Sequence, residues 1–158
     1  MSKFVEWSNE LSVGIEEIDT QHQVLVDLLN QIHEAIQQRH GAEVTQDIVL
    51  KLDEYTRVHF AVEESLMRIS AYPDFSAHKG QHAEFVAQVQ DLRQKIKTEN
   101  APISFELLRF LRNWLLSHID ESDKRFGQFY RQGGHAHYAE WQQEVKKTLE
   151  KKKWWQFW

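Results

Sequence analysis

The chain has 158 residues, a formal net charge of −5, 41% hydrophobic and 27% charged residues, and no cysteine. That length suits one domain with a sizeable core. The missing thiols exclude disulfides, thiolate zinc sites and iron–sulfur clusters, and the acidic balance argues against a nucleic-acid binder.

Residues 1–18 read as an arm packed on the domain, with Trp7, Leu11, Val13, Ile15 and Ile18 apolar and Gly14 permitting a turn. Asp19 is the expected N-cap of a first helix over about 19–39, whose inner stripe is His22, Leu25, Leu29, Ile32 and Ile36. A second helix, about 43–70, carries Val44, Ile48, Leu52, Tyr55, His59, Glu63 and Leu66, and Tyr72-Pro73 ends it. A third, about 75–99, presents Phe75, His78, His82, Phe85, Val89, Leu92 and Ile96. The fourth, about 103–131, presents Leu107, Leu111, Trp114, His118, Ser122, Phe126 and Phe129. Gly133-Gly134 is the clearest break. Beyond it, 133–158 forms a C-terminal extension, with an extra helix bearing Tyr138, Trp141, Val145 and Leu149 on one face and a lysine- and tryptophan-rich end. The expected fold is all-α: an antiparallel up-down-up-down four-helix bundle over residues 1–132 with an N-terminal arm.

In that topology His22, the His59/Glu63 pair, the His78/His82 pair and His118 with Asp123 all fall at one end of the bundle. A lone histidine on an apolar stripe is ordinarily a hydrogen-bonded core residue. Five histidines in one layer with two carboxylates would cost several kcal/mol each to bury without strong partners, and metal coordination supplies such partners. Pairs at i,i+4 project side by side from one helix face. Seven ligands exceed one tetrahedral zinc site and suit two ions bridged by carboxylates. Imidazole fits iron, copper, nickel or zinc, and carboxylate bridges favour di-iron or di-manganese. His118 and Asp123 are awkward, since five residues subtend about 140° on an ideal helix, so the helix either lets Asp123 lean across or carries a π-bulge.

The motifs Gly14-Ile15…Ile18-Asp19…Gln21-His22…Leu25, His59-Phe60…Glu63-Glu64…Met67, Tyr72-Pro73…His78…His82…Phe85 and Trp114-Leu115…His118-Ile119…Asp123 resemble the bacterial hemerythrins. The resemblance covers about residues 4–130. It implies two iron ions with an oxo or hydroxo bridge. His78, His82 and His118 would bind one iron. His22 and His59 would bind the other, which keeps a position open for O₂, and Glu63 and Asp123 would bridge the pair. Leu25, Phe60, Trp114, Leu115 and Ile119 match the family's apolar pocket; by themselves these five read as ordinary core. The implied function is reversible dioxygen binding for storage, transport or delivery, without catalytic residues. The alternatives are an oxygen or redox sensing module and a di-iron oxidase, peroxidase or nitric-oxide-handling enzyme.

Other features carry weaker expectations. His33 and His40 read as polar-face or helix-end residues, and Glu64, Asp120 and Glu121 as solvated charge. His135 and His137 are too few for a second metal site. No apolar run of ~18 residues occurs and no apolar leader follows Met1, so a cytoplasmic protein without a transmembrane segment is expected. The Trp/Lys tail is expected to fold back or dock on a protein partner, ahead of peripheral contact with a membrane.

Overall fold

The structure is a computed structural model that describes residues 3–39, 41–99, 105–133 and 138–151. Its helices are α1 (Glu16–Gln37), α2 (Ala42–Ile69), α3 (Phe75–Glu99), α4 (Phe105–Ser117), α5 (Lys124–Gly133) and α6 (Tyr138–Lys151). A π-helical turn, His118–Asp123, joins α4 to α5, so these three segments make one long fourth helix. Helix α1 packs on α2, α2 on α3, and α4 on both α1 and α3, which closes the expected four-helix ring. No described helix is long and apolar enough to cross a membrane.

The helix starts differ from the sequence expectation. Helix α1 begins at Glu16, and Asp19 is not its N-cap. The Asp19 carboxylate instead accepts bonds from the Ser12 hydroxyl (2.5 Å) and the Val13 N–H (2.8 Å), which ties the arm to the bundle. The arm is fixed again where Val5 and the Asn30 amide exchange two bonds, each 2.8 Å. Gly14 turns the chain between these points at φ 83°, a left-handed conformation. On α2, Val44 is 46% exposed, whereas Thr45 and Val49 are buried. The inward face of the first turns is therefore rotated by one residue, and a buried threonine takes a place where apolarity alone favoured valine. Thr45 can occupy it because its hydroxyl bonds to the Gly41 carbonyl.

Helix α2 ends before Tyr72-Pro73 in a paired turn. The Ala71 N–H reaches the Arg68 carbonyl (3.1 Å) and the Tyr72 N–H reaches the Met67 carbonyl (2.9 Å). This is the Schellman pattern, with Ala71 at φ 56° where glycine is usual. Below the histidine layer the ring is filled by Leu29, Ile32, Leu52, Val89, Leu92, Leu108 and Leu111, all buried.

Helix α6, the extra helix expected in the extension, packs on the bundle against α2. Trp141 is fully buried, and its indole N–H donates to the Val62 carbonyl (3.2 Å) and the Ser65 hydroxyl (3.1 Å). Tyr138 and Gln142 both donate to the Glu17 carboxylate of α1. Val145 is buried on the same face. The Leu149 side chain, His40, His135, His137 and the tail from residue 152 onward lie outside the described residues.

Candidate metal centre

Four helices deliver the polar layer: His22 from α1, His59 and Glu63 from α2, His78 and His82 from α3, and His118 and Asp123 from the π turn. All seven side chains are buried, none more than 5% exposed. The π turn answers the spacing problem. It adds a residue to the turn, so that His118 and Asp123 face the same way and His118 Nε2 lies 3.1 Å from Asp123 Oδ1.

The donor atoms form two groups. One is Glu63, His78, His82, His118 and Asp123; the other is His22, His59, Glu63 and Asp123. Both carboxylates belong to both groups, and their oxygens divide between them. Glu63 Oε1 lies 2.6 Å from His78 Nε2 and 3.2 Å from His82 Nε2, while Asp123 Oδ1 lies 3.0 Å from His78 Nε2. On the other side, Glu63 Oε2 is 3.4 Å from His59 Nε2 and 3.8 Å from His22 Nε2, and Asp123 Oδ2 is 3.1 Å from His22 Nε2. Each carboxylate thus turns one oxygen to each group.

These atoms converge without pairing well. Both Asp123 oxygens, Glu63 Oε2 and both His22 nitrogens are buried with no hydrogen-bond partner. His82 Nε2 and His118 Nε2 lie only 3.1 Å apart. Buried polar atoms are ordinarily satisfied, and a cation at each convergence point would satisfy the carboxylate oxygens and His22 Nε2, though not His22 Nδ1, which lies on the other side of its ring. Five imidazoles and two carboxylates, all with lone pairs directed inward, are a donor set that fits iron.

The electrostatics agree. Burial opposes protonation of His22 and of His78, yet the neighbouring Asp123 and Glu63 carboxylates raise each to about 9. His82 is also raised, against burial, by Glu63 and Glu64. Burial, with the charge on His22, lowers His59 to about 3. Glu63 is held well below the ordinary carboxylate range despite burial, by the imidazoles of His22, His78 and His82 around it. Asp123 is lowered too, against burial and the Glu63 charge, by His118 and His22. The two carboxylates pull positive charge into the layer, as protons when nothing else is there.

Phe60 stacks on the His82 ring at 3.7 Å and 3°, and Trp114 on the His118 ring at 4.6 Å and 12°. Leu25, Leu115 and Ile119 are buried in the same core and Trp114 is half-buried. Three supporting residues were not legible from stripe periodicity. Gln21 Oε1 is 2.8 Å from His59 Nδ1, Gln81 Oε1 is 3.0 Å from His118 Nδ1, and Glu64 Oε2 is 2.9 Å from His82 Nδ1. Glu64 is therefore not merely solvated charge. The available signal was adjacency: each of the three precedes or follows a layer residue in sequence, and each reaches a histidine on the neighbouring helix. Asp120 and Glu121 are exposed as expected, and His33 packs under the arm against Phe4 at 4.5 Å.

Residues 13–130 match the family described as the hemerythrin HHE cation-binding domain. The chain belongs to the hemerythrin family. It is 31% identical over 118 residues to a bacteriohemerythrin of Methylococcus capsulatus, covering 75% of this chain and 89% of that protein. It is 36% identical over 123 residues to a bacteriohemerythrin of Stenotrophomonas maltophilia, covering 76% and 77%. A crystal structure of wild-type hemerythrin superposes with a TM-score of 0.74 at 29% identity, covering 79% of this chain and 96% of that one. Hemerythrins are known at the family level for binding oxygen at non-haem iron, and this chain has a buried His/Glu/Asp cluster able to hold metal.

Proposed function

We propose that the protein binds dioxygen reversibly at a di-iron centre in the cytoplasm, for storage, transport or delivery to a partner. His78, His82 and His118 would hold one iron and His22 and His59 the other, with Glu63 and Asp123 contributing to both. The observation that carries this reading is the division of carboxylate oxygens, one from each residue toward each histidine group. Two ferrous ions held there would supply the electrons for binding dioxygen and recover them on its release.

The chain's own residues do the rest. The Glu63 and Asp123 carboxylates would offset part of the metal charge, and the five imidazoles would hold the ions without adding negative charge. Leu25, Phe60, Trp114, Leu115 and Ile119 wall the layer with apolar surface, which keeps water from competing for the site and from displacing the bound gas. The seven ionisable groups of the layer are all committed to the two donor groups, which favours binding over turnover. The test is to load the protein with iron, reduce it, add oxygen and then remove it while following the visible spectrum. Return of the colourless form without added reductant supports the carrier reading. Irreversible oxygen consumption coupled to steady oxidation of a substrate would overturn it.

A further inference from the structure

Three imidazoles of the layer carry a second bond on the nitrogen facing away from the donor cluster, and the partners are not alike. His59 Nδ1 and His118 Nδ1 each meet a neutral amide oxygen, from Gln21 and Gln81. Gln81 Oε1 also accepts the Ser122 hydroxyl at 2.8 Å, which fixes the amide's orientation. His82 Nδ1 alone meets a carboxylate, Glu64, whose side chain is only 13% exposed. An amide oxygen fixes a ring's orientation and tautomer. A carboxylate does the same and also places negative charge behind the ring, which raises its basicity toward a cation on the far nitrogen.

We propose that Glu64 is a positioning residue that makes His82 the strongest histidine donor of the layer, so that the cation held by His78, His82 and His118 is the more tightly bound and the more readily oxidised of the two. This rests on the ligand assignment proposed above and deepens it. Helix geometry produces the arrangement. Glu63 and Glu64 are successive residues of α2, so their side chains diverge by about 100°. Glu63 enters the layer and Glu64 passes along the flank toward α3. The His82 ring is independently clamped by the Phe60 stack at 3.7 Å. Replacing Glu64 with glutamine therefore alters the charge behind the ring while the ring stays in place.

Cobalt(II) is titrated into the metal-free wild-type protein and into Glu64→Gln, Gln81→Glu and His82→Ala, and the midpoint potentials of the iron-loaded proteins are measured. In Glu64→Gln, one of the two cobalt ions is expected to bind about 10- to 100-fold more weakly, and the iron potential is expected to rise. Gln81→Glu places a carboxylate behind His118 and is expected to lower the potential. Added to Glu64→Gln, it should restore part of the lost cobalt affinity. Unchanged cobalt affinity and potential in Glu64→Gln, with His82→Ala impaired, overturns the role of Glu64 and leaves the ligand assignment standing. Unchanged cobalt affinity in His82→Ala overturns the assignment itself. If Glu64→Gln does not fold, Gln81→Glu decides alone, and a potential that does not fall counts against the proposal.

Discussion

His118 and Asp123 are five residues apart on one helix, yet His118 Nε2 lies 3.1 Å from Asp123 Oδ1 because the turn between them is π-helical. Asp123 also links the first and fourth helices, since its second oxygen lies 3.1 Å from His22. Asp123→Asn keeps the shape and removes the charge. We expect it to retain full helical content by circular dichroism but to bind fewer than two metal ions per chain. In the metal-free variant, His22 and His78 should titrate closer to the ordinary histidine value, because one of the two carboxylates that raise them is gone. Histidine ring resonances followed through a pH series read this directly.

Metal removal changes the pH dependence of stability. In the metal-free protein His22 and His78 are raised from 6.5 to about 9. Their contribution is fully present below the unfolded value and is lost as pH rises through about 9. Glu63 and Asp123 are lowered, so theirs is present above the ordinary carboxylate range and lost on acidification. His59, lowered to about 3, acts the other way and costs stability as pH falls below 6.5, so the metal-free protein should be most stable near pH 6. Bound metal takes the place of the histidine protons, so loading should release protons near neutral pH and abolish the alkaline loss. Melting temperatures of both forms across pH 5–10, with proton release followed in weakly buffered solution, check this.

Trp141 is the anchor of α6. Trp141→Phe keeps most of the buried area but leaves the Val62 carbonyl and Ser65 hydroxyl without the indole donor, at a cost of about 1 kcal/mol. Trp141→Ala should cost about 3–5 kcal/mol. Urea denaturation distinguishes the two. If both cost the same, the anchoring is by area and the hydrogen bonds contribute nothing measurable.

Two backbone positions should move stability in opposite directions. Ala71 pays for its left-handed φ of 56° at the end of α2, so Ala71→Gly should stabilise by about 1 kcal/mol. Gly127 lies against the Val13 carbonyl, with no room for a Cβ. Gly127→Ala must displace the arm and should destabilise by about 1–3 kcal/mol. Thermal unfolding of both variants, with metal content held equal, tests the pair.

The bundle was legible because four stripes at helical spacing each break apolar continuity at the same height, and antiparallel alternation brings those breaks together. The π turn was legible as a conflict, since His118 and Asp123 could not share an ideal helix face. Other features escaped for a common reason. Thr45 is buried and Val44 exposed because a hydroxyl can bond to its own helix. Asp19 serves the arm, and Glu64, Gln21 and Gln81 each serve a histidine on the next helix. Stripe periodicity describes which way a side chain leaves its own helix. It carries no information on what a side chain leaving at the flank will meet, which depends on the neighbouring helix's height and rotation.

The seven layer side chains run from residue 22 to residue 123, and Asp123 belongs to both donor groups. During synthesis neither group has its full complement until the chain has grown past the π turn. Both complete donor groups are thus a property of the finished bundle. The order of the ligands along the chain leaves both donor groups incomplete in any fragment that stops short of the fourth helix.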